Sequence, residues 1–455
     1  MNEQKDRPTR IVIVGAGYTG IWAHRFIMRR IGRQIKRGEV TLTVIAPKTY
    51  HSFHGFTAET ICSVLAVSNR QSPLRFVMRH ARLLRAHAEH INVDRRLVTI
   101  QYVGEQRQEH IPYDHLLIAN GSYDVMETVP GMTAHGWSLK EPGGVLSTRN
   151  HIINALERAD SIKDESEIER LLTVVVGGGG YSGVELAGNL AEMYRAYRKH
   201  YDVLKRHSAK IVLVHSGDKL MPQLRPRFER LANYCTRQLE KYGVELRLGV
   251  RLEEVREDGV ILSDGSVIPT RTVISTIGQR TAIMPGTELL PRTESGLLVT
   301  DEVLHIQGHE HLWAGGDAAR VMHIKGYQVP ANALWAIMGG VRLGDNIARS
   351  IQGKAPKRFS YRGLGQSASL GFGKGASELY GVQLTGWIAW FARFFFFMYF
   401  VPSRKQAVRL LNDFLLIPFI GRYITPLESV EPQTLTKKRS HEATATMEIP
   451  QVVVE

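Results

Sequence analysis

The sequence predicts an α/β fold in which one supersecondary unit is used twice, followed by amphipathic helices near the C-terminus. Three observations lead there. Arg10–Val14 reads as a strand, Gly15–Gly20 as a glycine turn, the stretch through Ile31 as a helix and Val40–Ala46 as a second strand. The same succession returns as Leu171–Val176, Gly177–Gly183, Val184–Tyr197 and Lys210–His215. From Leu384 onward, aromatic and aliphatic residues recur at helical spacing.

Composition bounds the reading. The chain has 455 residues, enough for two or three domains, and a formal charge of +14. Two cysteines, Cys62 and Cys235, exclude a disulfide scaffold, a Cys-rich zinc site and a cysteine-ligated iron–sulfur cluster. No metal site is expected. No aromatic and basic residues interleave as a nucleic-acid module, so the basic balance points to an anionic cofactor or an anionic membrane surface. Met1–Arg10 is polar and carries no apolar leader.

Further strands are expected at Leu97–Tyr102 and Leu116–Ala119, with a turn at Asn120-Gly121-Ser122. Others follow at Val244–Leu248, Val260–Leu262, Thr272–Thr276 and His311–Gly316, and a helix at Ala331–Ile351. Beyond Thr425 the chain turns polar, with Lys437-Lys438-Arg439, and reads as a flexible tail or a partner-binding arm.

Three motifs carry chemistry. In Gly15-Ala16-Gly17-Tyr18-Thr19-Gly20, Gly15 permits the tight turn, Gly17 a close approach of backbone to a pyrophosphate, and Gly20 close packing of helix on strand. The helix start then supplies free N–H groups and its dipole to the phosphates. The strand that follows ends Val44-Ile45-Ala46-Pro47, with no acid to accept from a ribose. The second motif is Gly178-Gly179-Gly180-Tyr181-Ser182-Gly183, in the same context. Glu185 is expected in the first turn of its helix, either touching a bound cofactor edge or simply favoured by the dipole. His215-Ser216 at the next strand end does not repel a 2′-phosphate, so NADPH is not excluded beside NADH. The third motif is Leu312-Trp313-Ala314-Gly315-Gly316-Asp317, where Asp317 suits either a polyol or a helix N-cap. Two dinucleotide sites in one chain suggest a flavin on the first and a nicotinamide on the second.

Together these residues resemble the two-dinucleotide-binding-domain flavoproteins of the pyridine nucleotide–disulfide reductase superfamily. Tyr113–Ser122 is similar to its "YDxLxxATGS" strand, with Asn120 in place of Thr. No redox cysteine pair follows the first helix, so disulfide reduction is out. Within the superfamily the chain resembles the type II NADH:quinone oxidoreductases. Tyr50-His51-Ser52-Phe53 looks like their "YHxF", Gly180–Gly188 like "GxxGVELAG", and Tyr361, Gly365, Ala368, Leu370-Gly371 with Gly386–Trp390 like their C-terminal anchor pattern. One departure stands out. Where the family carries "AQxAxQ", this chain reads Ala333-Leu334-Trp335-Ala336-Ile337-Met338, with Gln328 and Asn332 as the nearest amides.

The resemblance implies two Rossmann-like domains, one inserted in the other. The FAD-binding domain would span 7–143 and 287–383, the NAD(P)H-binding domain 144–286, the amphipathic membrane anchor 384–426 and the flexible tail 427–455. It implies FAD and NADH as cofactors, quinone as acceptor and no proton pumping. The implied cofactor-binding residues are Gly15, Gly17, Tyr18, Thr19, Gly20, Gly121, Gly178, Gly180, Tyr181, Ser182, Gly183, Gly316, Asp317, Ala333 and Leu334, with Glu185 as the catalytic residue. Two rivals stay open: a flavin reductase with a soluble acceptor, and a degenerate nucleotide-binding membrane protein without catalysis.

Leu384, Trp387, Ile388, Phe391, Phe394, Phe395 and Met398 read as one apolar helix face, with Arg393 off its centre. After Pro402, Ala407, Leu411, Phe414, Leu415 and Pro418 form a second face beside Arg404, Lys405 and Arg409. At about 18 residues, Leu384–Val401 is short for a span, so the pair reads as an interfacial anchor. The expected placement is peripheral, on the cytoplasmic side of the cell inner membrane. The same faces could pair two copies, and a homodimer is expected.

Overall fold

The computed structural model describes residues 7–140 and 144–427. The predicted tail with Lys437-Lys438-Arg439 lies outside these residues. The first sheet has eight strands, in the order His305–Ile306, His309–Ala314, His115–Ile118, Thr9–Val14, Val40–Ala46, Arg82–Asn92, Leu97–Tyr102, Gln108–Pro112. Thr9–Val14 is its central parallel strand, with Val40–Ala46 on one side and His115–Ile118 on the other. Ile11, Ile13, Leu116 and Leu117 are fully buried there, as expected of a parallel sheet covered on both faces. The first glycine helix, α1 (Tyr18–Lys36), runs past Ile31, where the backbone kinks, to Lys36.

The second sheet is parallel, in the order Gly136–Trp137, Thr272–Ser275, Thr173–Gly177, Lys210–His215, Glu245–Leu248. It already takes in Gly136–Trp137, ahead of the expected boundary at 144. The two crossings between domains lie side by side, because Tyr123–Asp124 pairs antiparallel with Gln279–Arg280. Leu171 and Leu172, expected to open a strand, instead end a helix over Glu165–Leu172. Asp164 caps that helix by accepting from the N–H groups of Ser166 and Glu167, which holds the two leucines helical until Thr173. The second glycine helix, α2, covers Tyr181–Tyr197.

A third long helix, α3 (Ala333–Ile351), crosses α1 closely. A Cβ on Gly340 would stand 2.5 Å from the Thr19 carbonyl oxygen, and one on Gly344 would stand 2.3 Å from that of Ala23. Any larger residue would push the helices apart. A three-stranded antiparallel sheet, Gly365–Ser369, Gly375–Leu379 and Val382–Thr385, then packs on α2. Gly188 of α2 is part of that contact, with the Leu370 backbone 3.1 Å from where its Cβ would be.

The chain ends in α4 (Gly386–Phe400) and α5 (Arg404–Ile420). Among the described residues no helix is long and apolar enough to cross a membrane. The two helices divide their apolar residues differently from expectation. Trp387, Ile388, Phe391 and Phe395 are exposed on α4, but Phe394 belongs to the core and Met398 packs against it. On α5, Ala407 and Phe414 are buried, while Leu415, Leu416, Phe419 and Ile420 are exposed. Arg393, expected on a polar flank, is among the most buried side chains of α4, at 2 % exposure.

After α5 the backbone returns to the inserted domain. Arg149 donates to the Tyr423 and Thr425 carbonyls at 3.1 and 2.9 Å. The Tyr197 hydroxyl donates to Tyr423 at 2.9 Å, and Arg422 pairs with Glu192.

Candidate active site

The two glycine turns share one geometry. Gly15 has φ +105° and Gly178 φ +111°, a region that disfavours side chains. A Cβ on Gly20 would stand 2.1 Å from the Gly15 carbonyl oxygen, and one on Gly183 would stand 1.8 Å from that of Gly178. Around Gly17, by contrast, nothing lies within 4 Å of the Cβ position. That clear space is where backbone can meet a ligand. No side chain caps α1 or α2, and neither helix has an acid in its first turn. The first-turn N–H groups are therefore left without an acidic or capping side chain, as an anion site requires. On these observations the first loop fits a dinucleotide.

A cavity of about 470 Å³ opens at this loop. It is lined by Gly15, Gly17, Tyr18 and Thr19 from the first motif, by Gly121 and Ser122, and by Gly316, Asp317 and Ala333. Ser182 and Glu185 of α2 reach its wall from the inserted domain. Gly20 is buried behind the turn. The structure thus brings together most of the residues that the three motifs singled out. Gly178, Gly180, Tyr181 and Gly183 do not line this cavity. Gly179 and Gly180 face His215 and Gln223 instead, and the Gly179 N–H donates to His215 Nδ1 at 3.3 Å. Tyr181 packs against the core of the inserted domain and Leu334 against the main core, as does Met338.

Asp317 is not the N-cap of a long helix. It sits in a single 3₁₀ turn, Gly316–Ala318, and Asn332 caps α3 by accepting from the Trp335 N–H. Asp317 Oδ2 accepts from the Ser122 hydroxyl at 2.7 Å, and the Lys140 ammonium lies 3.7 Å away. Lys140 also donates to Ser122 at 2.8 Å and to Gln279 at 2.6 Å. Burial lowers its pKa, while Asp317 and Asp124 oppose that shift. Sequence reasoning missed Lys140, which no motif marks. Thr19 donates from Oγ1 to the Ala336 carbonyl at 3.2 Å, joining α1 to α3.

Tyr18 stands at the mouth of α1. Its hydroxyl accepts from the His54 N–H at 2.9 Å, and its ring meets the edge of His51 with centroids 4.6 Å apart. Desolvation, reinforced by the Arg70 charge, pushes the His51 pKa down to about 3 and holds that of His54 well below its ordinary value. Both imidazoles are therefore neutral beside the cavity at pH 7. The "YHxF" stretch marked this segment in the sequence, though not the protonation state.

Glu185 lies in the second turn of α2, not the first, because the helix starts at Tyr181. The helix dipole thus gives it little, and its partners come from elsewhere. Glu185 Oε1 accepts from the Ser369 N–H at 2.8 Å and from Arg393 Nη2 at 2.9 Å. Desolvation pushes its pKa up to about 7, against the pull of Arg393 and with a further push from Glu59. Arg393 Nη1 also donates to Glu59 Oε1 at 2.6 Å. The two cysteines are buried and free, and burial raises both thiol pKa values, that of Cys235 to about 12. Among the described residues no group of His, Cys, Asp or Glu is placed to hold a metal ion.

Two nested dinucleotide folds, a cavity at the first glycine loop and an acid reaching it from the second define a pyridine-nucleotide flavoprotein. The chain belongs to the pyridine nucleotide-disulphide oxidoreductase family, whose model matches residues 9–340. It is 28% identical over 415 residues to the type II NADH:quinone oxidoreductase Ndh of Mycobacterium tuberculosis, covering 85% of this chain and 83% of that one. It is 24% identical over 385 residues to the type II NADH:quinone oxidoreductase of Staphylococcus aureus, covering 83% and 91%. Its fold matches NDH2 from Plasmodium falciparum, solved with NADH, at a TM-score of 0.83 and 16% identity, over 92% of this chain and 100% of that one. The sulfide:quinone oxidoreductase of Aquifex aeolicus follows at 0.65 and 14% identity, over 91% and 96%.

Proposed function

We propose that the chain is a FAD-dependent, non-pumping NADH:quinone oxidoreductase. The observation that carries this reading is the convergence of both glycine units on one cavity: the first loop forms its floor, and Ser182 and Glu185 at the start of α2 form part of its wall. The type II NADH:quinone oxidoreductases among its relatives match along most of their own length. Gly15, Gly17, Tyr18 and Thr19 would hold the pyrophosphate side of FAD, Asp317 with Gly121 its polyol, and Gly178–Gly183 the nicotinamide dinucleotide. FAD supplies the hydride and electron chemistry. The protein's share is to align both cofactors, keep the neutral histidines and Lys140 around them, and present Glu185 as the acid of the cavity. Glutamines are replaced by Leu334 and Met338, so Asn332 and Gln328 are the amides left to meet a quinone carbonyl.

The exposed aromatic residues of α4 and α5 seat the protein peripherally on an anionic membrane surface, on the cytoplasmic side of the inner membrane, as a homodimer. Apolar area drives the seating. Arg404, Lys405 and Arg409 add about 1 kcal/mol each where they reach an anionic leaflet.

The test is anaerobic titration of the yellow holoprotein with NADH, followed by quinone in detergent. Bleaching by NADH and return of colour with quinone are expected. Bleaching that quinone does not reverse would overturn the acceptor, and protein that purifies colourless would overturn the flavin.

A further inference from the structure

Arg393 is a buried cation on a helix whose outer face is bare aromatic surface. Its side chain is 2 % exposed, Glu59 is 3 % exposed and Glu185 is 17 % exposed on the cavity side. Arg393 Nη2 also donates to the Gly55 carbonyl at 2.6 Å, and the guanidinium lies 4.6 Å from the Phe397 ring centroid. Each partner belongs to a different part of the fold. Glu59 sits in the short helix Thr57–Ile61, beside the cavity-lining residues Thr57 and Ala58. Glu185 sits on α2 of the inserted domain and Arg393 on α4.

The charges do not balance. One guanidinium faces two carboxylates, and Glu59 Oε2 is buried with no hydrogen-bond partner. Removing an unpaired charge from water is far costlier than protonating it. Tyr181 and Cys235 also feel the charge of Glu185, and neither is a cation. We propose that Arg393, with Glu59 behind it, is a positioning residue for Glu185. It ties the acid of the cavity to the aromatic helix and leaves the cluster one proton to hold. This rests on the reading of Glu185 as that acid. The raised pKa of Glu185 has the sign expected. Seating of α4 would then reach the cavity through the Arg393 guanidinium.

The test uses the full-length holoprotein. Glu59→Gln keeps the side chain's size and leaves Arg393 facing a single carboxylate. The infrared band of a protonated carboxyl, titrated from about pH 5 to about pH 9, is assigned to Glu185 by its loss in Glu185→Gln. In Glu59→Gln this band is expected to titrate about one pH unit lower, a tenfold loss of proton affinity. The pH profile of kcat should move with it, while KM for NADH changes by less than about twofold. Arg393→Lys, which keeps the cation, should hold the band closer to its original position than Arg393→Met. If Glu59→Gln leaves the titration in place, the cluster merely packs and the proposal falls alone. If Glu185→Gln removes no band and leaves the pH profile unchanged, the reading of Glu185 falls, and the proposal with it.

Discussion

Gly183 stands to Gly178 as Gly20 stands to Gly15: in each pair the helix glycine would carry its Cβ into the carbonyl of the turn glycine, at 1.8 and 2.1 Å. The two sites can therefore be separated by mutation. Gly183→Ala is expected to stay yellow and lose at least about tenfold in NADH affinity, roughly 1.4 kcal/mol. Gly20→Ala should lose the flavin. Gly17→Ala meets no protein atom, so its apoprotein should melt as the parent does while retaining less FAD. Absorbance spectra and thermal melts check all three.

Asp317→Ala removes the acceptor of the Ser122 hydroxyl and the counter-charge of Lys140. Lys140 then keeps its bonds to Ser122 and Gln279, with Asp124 as the remaining nearby carboxylate. We expect FAD to be retained at least about tenfold less tightly, with a loss of folding stability of about 1 kcal/mol, as for a half-buried hydrogen bond. Flavin release on dilution, beside chemical denaturation of the apoprotein, separates the two effects.

Phe395→Ser with Trp387→Ser strips two exposed aromatics from α4. Each large apolar side chain contributes about 1.5–3 kcal/mol when it leaves water. The double variant should bind vesicles of anionic phospholipid at least about a hundredfold more weakly, yet still be bleached by NADH. Co-sedimentation read beside the bleaching assay decides. Equal binding by parent and variant would remove the membrane reading of this face.

His51 gives stability a pH dependence with a definite sign. Its pKa is about 3 in the folded protein against 6.5 for a free imidazole. Unfolded chain takes up the proton first as the pH falls, so stability is present above 6.5 and is lost progressively down to about 3. The slope approaches 1.4 kcal/mol per pH unit for each such group. His24 and His115, both held near 4 by burial, add to it. A His51→Gln variant should show a shallower loss between about pH 6.5 and pH 4 in denaturation experiments.

Much of this architecture was legible because parallel strands between glycine turns are buried on both faces. Val40–Ala46 and Lys210–His215 fall where the apolar runs place them, and so does Leu97–Tyr102, which is antiparallel to both its neighbours and half-buried. The glycine loops were legible for a steric reason, since no other residue fits Gly15 or Gly20. Leu171 and Leu172 misled because an apolar pair before Thr173–Gly177 continues the strand pattern. The signal against it was Asp164 with Glu165 and Glu167, a helix start a few residues earlier. Arg393 was illegible in a different way. An arginine in an aromatic run reads as a solvated flank, and its partners are 334 and 208 positions distant in the chain. Lys140 was missed for the same reason: its partner Asp317 arrives from the other end of the first sheet's domain.

The burial of both cysteines has a practical use together with the returning C-terminal segment. Leu427 is bound to the inserted domain through Asn150, at 3.2 Å, while Tyr399 on the preceding aromatic helix is exposed. Cysteines introduced at these two positions would be the only thiols open to a maleimide dye among the described residues. A donor–acceptor pair placed there becomes a ruler between the inserted domain and the aromatic helix, readable in single molecules while electrons flow.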